Sequence, residues 1–179
     1  AGNYLCYPST AFGPSVTTAI TANIVVVNDG SNRPTLGCGT TLTNGTALSG
    51  KIALIRRGDC TFVEKILNAQ GYGAVGVIIM NNIAGQPIPM GGTATNVTVP
   101  SAMISKEDGD ILEAALAAGT VNGTLNPSAP GAFTGNLVPG IQFINDIKIR
   151  NNGGVSEIYV AAGDSFYGAA NAATYLGGP

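Results

Sequence analysis

The 179-residue chain has no His and no Trp, and only eight basic and ten acidic side chains, for a formal net charge of −2. Charged residues make up 10%, against roughly 25% in ordinary soluble domains, so solubility rests on neutral polar residues, chiefly Thr, Asn, Ser and Gly. Without His, the commonest general base and the commonest metal ligand are both missing. Nucleophilic catalysis is left with Lys or a carboxylate as base, and no S-x-x-K pair occurs. Lys and Arg form no cluster beyond Arg56-Arg57, too few for the field a phosphate backbone requires, so nucleic acid is not an expected partner. The longest apolar run, residues 74–80, is far too short to cross a bilayer. The three Cys are widely spaced with no C-x-x-C, so neither a metal site nor a cofactor is expected.

What is present is a turn-rich, β-leaning chain whose texture changes along its length. Residues 1–50 carry only Asp29 and Arg33 as charges and read as short strands joined by turns, including Ile24-Val25-Val26-Val27 stopped by Asn28-Asp29-Gly30. In the middle, strands alternate with helical periodicity. Ile52-Ala53-Leu54-Ile55 precedes a helix opened by Thr61 and Glu64 as a capping box and stopped by Gly71 and Gly73. The run around Val77-Ile78-Ile79 follows, apolar on both faces as a covered central strand should be. A second unit repeats the order: Ser101-Ala102-Met103-Ile104, then a helix capped by Ser105 with the expected buried stripe Ile111, Leu112, Ala115 and Leu116, ended by Gly119. Residues 121–125 can add a strand. The expected class is mixed α/β and β-rich, with a first domain over residues 1–126, a linker over 127–136 and a β-rich extension over 137–179. In that extension Ile147-Lys148-Ile149 and Ile158-Tyr159-Val160 flank Asn151-Asn152-Gly153-Gly154 as a hairpin.

Several groups invite a chemical reading. Asp29 and Asp164 stand only approximately in the setting of paired catalytic carboxylates, and Asp146 with Asp164 is the pair a small hydrolase would use. Glu107, Asp108 and Asp110 cover successive faces of a helix start, which suits capping better than Ca²⁺. Arg57-Gly58-Asp59 spells an adhesion tripeptide but falls in a tight strand-to-helix turn. Asn44, Asn96 and Asn122 head N-glycosylation sequons. Cys38 and Cys60 bracket the strand at Ile52; a bridge would close a loop of about 22 residues and stabilise by roughly 3 kcal/mol, the alternative being two separate buried thiols. Low charge and abundant Thr and Asn suit an exported chain, secreted or at the cell surface, and so suit the bridge, leaving Cys6 over. The start at Ala1, without a basic segment followed by an apolar one, reads as a mature or excised segment.

The blocks Gly37-Cys38, Lys51-Ile52-Ala53-Leu54-Ile55-Arg56-Arg57-Gly58-Asp59-Cys60-Thr61-Phe62, Glu64-Lys65, Asn68-Ala69-Gln70, Val75-Gly76-Val77-Ile78-Ile79-Met80-Asn81-Asn82, Val99-Pro100-Ser101-Ala102-Met103-Ile104-Ser105 and Asp108-Gly109 follow one another in a recognisable order. Together they resemble the protease-associated (PA) domain over roughly residues 20–125, in the form found within or beside secreted peptidases. The resemblance implies a partly closed β-barrel or sandwich flanked by short helices, with Cys38 paired to Cys60 and no catalytic residues. It also implies a peptide or protein ligand met near Arg56, Arg57, Gly58 and Asp59, and neighbouring domains of a parent chain. Tyr72 departs from the pattern, standing where a small Ala is usual between helix and strand. The expectation is a non-catalytic interaction module that assists a neighbouring peptidase domain; a carbohydrate-binding or adhesive module is the alternative, and a carboxylate hydrolase is a third reading.

Overall fold

The structure, a computed structural model, describes residues 4–127 and the backbone of 147–151 and 154–158. The strands are β1 (Cys6–Pro8), β2 (Ile20–Val26), β3 (Ile52–Arg56), β4 (Gly76–Met80), β5 (Ser101–Ile104) and β6 (Asn122–Leu125), with helices α1 (Phe62–Gly71) and α2 (Lys106–Ala118). Short 3-10 turns at Pro34–Leu36 and Gly45–Leu48 lie within the connection from β2 to β3. The six strands form one sheet in the order β1-β5-β4-β3-β2-β6. The inner four are parallel, in the register Ile24↔Ile52, Ile52↔Gly76 and Val77↔Ser101, and the two edge strands are antiparallel to their neighbours. The result is a mixed, β-rich half-barrel with two short helices, as the resemblance implies.

Uninterrupted apolar strands are what this arrangement requires, because helices or loops cover both faces of the inner sheet. Successive side chains of a strand point to opposite faces. Ala53, Ile55, Val77, Ile79 and Met103 therefore pack with Ile66 and Ala69 of α1 and with Phe12, Leu48, Met90 and Val97. Ile52, Leu54, Ile78, Met80 and Ile104 pack with Leu112 of α2 and Ile24.

Both helices begin as expected: Thr61 Oγ1 accepts the Glu64 N–H at 3.1 Å, and Ser105 Oγ accepts the Asp108 N–H at 3.0 Å. Two expectations need correction. The capping box at Thr61 is not reciprocal, because the Glu64 carboxylate accepts the Gly39 N–H at 3.0 Å instead. The buried stripe of α2 is Gly109, Leu112 and Leu116, while Ile111 is 57% exposed and Ala115 faces out. Gly109 sets that rotation: a Cβ there would lie 2.7 Å from Met80 Cβ, so the helix rests its backbone directly on β4.

The chain divides into two compact units, Ala1–Ser128 and Ala129–Pro179. In the second, β7 (Ile147–Asn151) and β8 (Gly154–Ile158) form an antiparallel hairpin, with Ile147 opposite Ile158 and Asn151 opposite Gly154. Tyr159, Val160, Asp146, Asp164 and nearly all of the expected linker lie outside the described residues. Among the described residues, no helix is long and apolar enough to cross a membrane.

Candidate functional site

The carboxyl end of β3 delivers Arg56 and Arg57 to a turn that must reach the start of α1 within a few residues. Gly58 (φ +140°) and Asp59 (φ +56°) make the reversal in backbone regions that L side chains rarely adopt. Cys60 closes the turn onto Cys38, with a Cα separation of 5.8 Å and a sequence separation of 22, so the expected bridge is formed.

One polar face of α1 then grips the segment around Cys38. Glu64 accepts the Gly39 N–H, Lys65 Nζ donates to the Leu36 carbonyl at 2.5 Å, and Asn68 Nδ2 donates to the carbonyls of Gly37, at 2.9 Å, and Gly39. Asp29 holds the same segment from the other side, with its carboxylate accepting the Cys38 N–H at 3.0 Å and the Ser31 N–H at 2.9 Å. Burial pushes the Asp29 carboxyl up, but the hydrogen bonds from Ser31, Cys38 and Gly37 outweigh it and hold the group below the usual carboxylate range. Lys65 is 0% exposed, and its Nζ also lies 3.5 Å from Cys38 Sγ. Burial pushes its amine down to about 8, against the opposing pull of Asp59, Glu64 and Asp29.

Beside this bridge lies a cleft of about 430 Å³ lined by Asp29, Arg33, Leu36, Cys38, Gly39 and Asp59. Arg33 and Asp59 form an ion pair there, with side chains 66% and 48% exposed. A pair so open to water is worth about 0–1 kcal/mol and exchanges partners readily.

The four residues expected to meet a ligand do not converge. Arg56 turns to α2, where its Nη2 donates to Asp110 at 2.9 Å and to Glu113. Burial alone would lower that guanidinium's pKa, and the two carboxylates more than offset it; Lys106 and Arg56 together lower the Asp110 carboxyl. Arg57 Nη1 donates to Oδ1 of Asn81 at 2.9 Å. Asn81 is 2% exposed, and it also accepts the Asn82 N–H and donates to the Gln86 carbonyl, so Arg57 is tied to the loop after β4. Of the four, Asp59 lines the cleft and pairs with Arg33, while Gly58 lies against Leu36. The adhesion tripeptide is accordingly a fastened turn.

Asn44 is half-buried at the 3-10 turn, while Asn96 and Asn122 are exposed. Cys6 is free and exposed on β1. Tyr72 caps α1, packs on the core, accepts the Leu42 N–H through its hydroxyl at 3.3 Å and fills the space over Gly45. Sequence reasoning missed the part played by Arg33, Asp29 and Lys65. Asp29 carried a turn signal and Lys65 a place in the resemblance, but their partners lie up to 29 residues away along the chain.

Residues 20–112 match the PA domain. The chain belongs to the PA-domain family. It is 38% identical over 80 residues to the minor extracellular protease Vpr of Bacillus subtilis, covering 45% of this chain and 10% of that protein. Over 108 residues it is 38% identical to leucine aminopeptidase 2 of Arthroderma otae, covering 60% of this chain and 20% of the relative. It also resembles the ER degradation-enhancing alpha-mannosidase-like protein 3 of Xenopus laevis, 36% identical over 88 residues, 44% of this chain and 10% of that one. Among solved structures, the zinc aminopeptidase BSAP of Bacillus subtilis superposes with a TM-score of 0.51 at 30% identity, over 69% of this chain and 27% of that one. The PA-domain chain thus corresponds to about a quarter or less of each of these proteins.

Proposed function

We propose that this PA domain is a non-catalytic peptide- or protein-binding module of an exported multidomain protein, where it shapes substrate access to a neighbouring peptidase domain. The observation that carries this reading is its small share of larger peptidases, 10% of the extracellular protease and 20% of the leucine aminopeptidase. A chain without His is in keeping with chemistry left to a neighbour.

The cleft beside the Cys38–Cys60 bridge is the surface we assign to recognition. A peptide carboxylate could take the place of Asp59 on Arg33 at little cost, since the exposed pair it displaces contributes little. Disulfide, Asp29 and α1 hold the wall of the cleft, so a ligand would meet a preformed surface.

Incubation of the chain with a broad peptide library, followed by mass spectrometry, should give no turnover. Calorimetric titration should show binding of a subset of those peptides, weakened by Arg33→Ala. Reproducible cleavage abolished by one side-chain change would overturn the reading, and so would binding to a glycan array with none to peptides.

A further inference from the structure

The three sequons differ sharply in what their acceptor amides are doing. Both polar atoms of the Asn44 amide are engaged: Nδ2 donates to the Val26 carbonyl and Oδ1 accepts the Asn28 N–H, both at 2.8 Å. These bonds close the end of β2, and the next residue, Gly45, lies under the Tyr72 ring, where a Cβ would come within 2.2 Å of Cδ1. On β6, both sequon side chains of Asn122-Gly123-Thr124 are paired across to β2. Asn122 Nδ2 donates to Asn23 Oδ1 at 3.2 Å, and the Thr124 and Thr21 hydroxyls lie 2.9 Å apart.

Asn96-Val97-Thr98 is built differently. Val97 is buried in the core on the α1 side of the sheet, and Asn96 and Thr98 on either side of it are exposed. Gln70, near the end of α1, clamps the backbone from both ends: its Nε2 donates to the Asn96 carbonyl at 3.0 Å, and its Oε1 accepts the Thr98 N–H at 2.7 Å. Among the described residues, the Asn96 side-chain amide has no hydrogen-bond partner. Acceptor and threonine stand exposed on a segment anchored by its buried middle residue and by Gln70.

We propose that Asn96 is the N-glycan acceptor of this chain when it passes through a secretory pathway that glycosylates. The donor is a lipid-linked oligosaccharyl pyrophosphate. Asn96 Nδ2 forms a bond to the anomeric carbon and loses a proton, while the bond from that carbon to the pyrophosphate oxygen breaks and the lipid pyrophosphate leaves. Transfer precedes folding, so the folded structure acts as a filter. A glycan on Asn96 disturbs no hydrogen bond, whereas one on Asn44 must displace the bonds that end β2 and enter a half-buried turn. Asn122, whose amide bond is exposed, ranks between them.

The test is secretion of the full 179-residue chain from a eukaryotic host, with occupancy at each sequon mapped by peptide mass spectrometry after enzymatic deglycosylation in heavy-oxygen water. Asn96 should be the most occupied site, and Asn44 should be nearly empty in the secreted fraction. Asn96→Gln should remove the main glycoform without moving the thermal midpoint, whereas Asn44→Gln should lower it. An unoccupied Asn96, or occupancy of Asn44 or Asn122 equal to or above it, would overturn the proposal.

Discussion

Gly45 and Tyr72 are a complementary pair that no local pattern announces: a bulky residue where a small one is usual, facing a residue with no side chain. Gly45→Ala places a methyl group inside the ring and should cost about 2 kcal/mol. Tyr72→Ala removes a packed ring and should cost about 3 kcal/mol. In the double variant the clash disappears, so denaturant titration should find a combined loss smaller than the sum by at least about 1 kcal/mol. Lys65 is the other residue whose environment decides its behaviour. Its amine is brought to about 8 from an ordinary 10.5, so between those pH values the unfolded chain holds more protons than the folded one. The cost of burying the ammonium is fully present below about pH 8 and fades as pH rises towards 10.5, so this group makes stability increase across that window. Chemical denaturation at pH 7.5 to 10 in a Cys6→Ser background, which removes the one free thiol among the described residues, should show that rise. Lys65→Met should flatten it.

The helices show how much an element's role depends on what lies beneath it. Thr61, Ser105, Gly71 and Gly119 mark the helix ends in the sequence because capping is a local matter, settled within one turn of backbone. Which face is buried is not local. Ile111 looks like a core residue by spacing and is exposed, because Gly109 lets α2 settle backbone-first on Met80 and rotates the stripe towards Leu112 and Leu116. Gly109→Ala gains about 1 kcal/mol in helix propensity but must push the helix off β4. A net loss of about 1–2 kcal/mol in thermal or denaturant unfolding is expected. The polar face of α1 was equally hidden: Glu64 has the position of a capping-box partner, yet its carboxylate is drawn to Gly39 because the disulfide brings that segment alongside.

In the whole molecule, the six-stranded sheet and both helices lie within the unit Ala1–Ser128. Its two apolar clusters draw on no residue beyond Leu125 among those described. A chain ending after Ser128 should therefore fold alone, with a thermal midpoint within about 2 °C of the full chain and the same Cys38–Cys60 bridge by mass spectrometry. A marked drop would show that residues 129–179 contribute to the first unit.

Strand and helix order, helix ends and the family were legible in the residues because each is written in short-range periodicity, caps and ordered blocks. Ile52-Ala53-Leu54-Ile55 is apolar on both faces and is covered on both faces. The geometry of the candidate site was not legible. Arg56 and Arg57 are adjacent in the chain, yet one is bound to α2 and the other to Asn81, because neighbouring residues leave a strand on opposite sides and each meets a different layer. The cleft that pairs Arg33 with Asp59, the burial of Lys65, the engagement of Asn44 and the clamp of Gln70 on the backbone of Asn96 all depend on segments 16 to 29 residues apart being brought together. Only packing decides such distances, and only those distances decide which polar groups remain free to bind or to be modified.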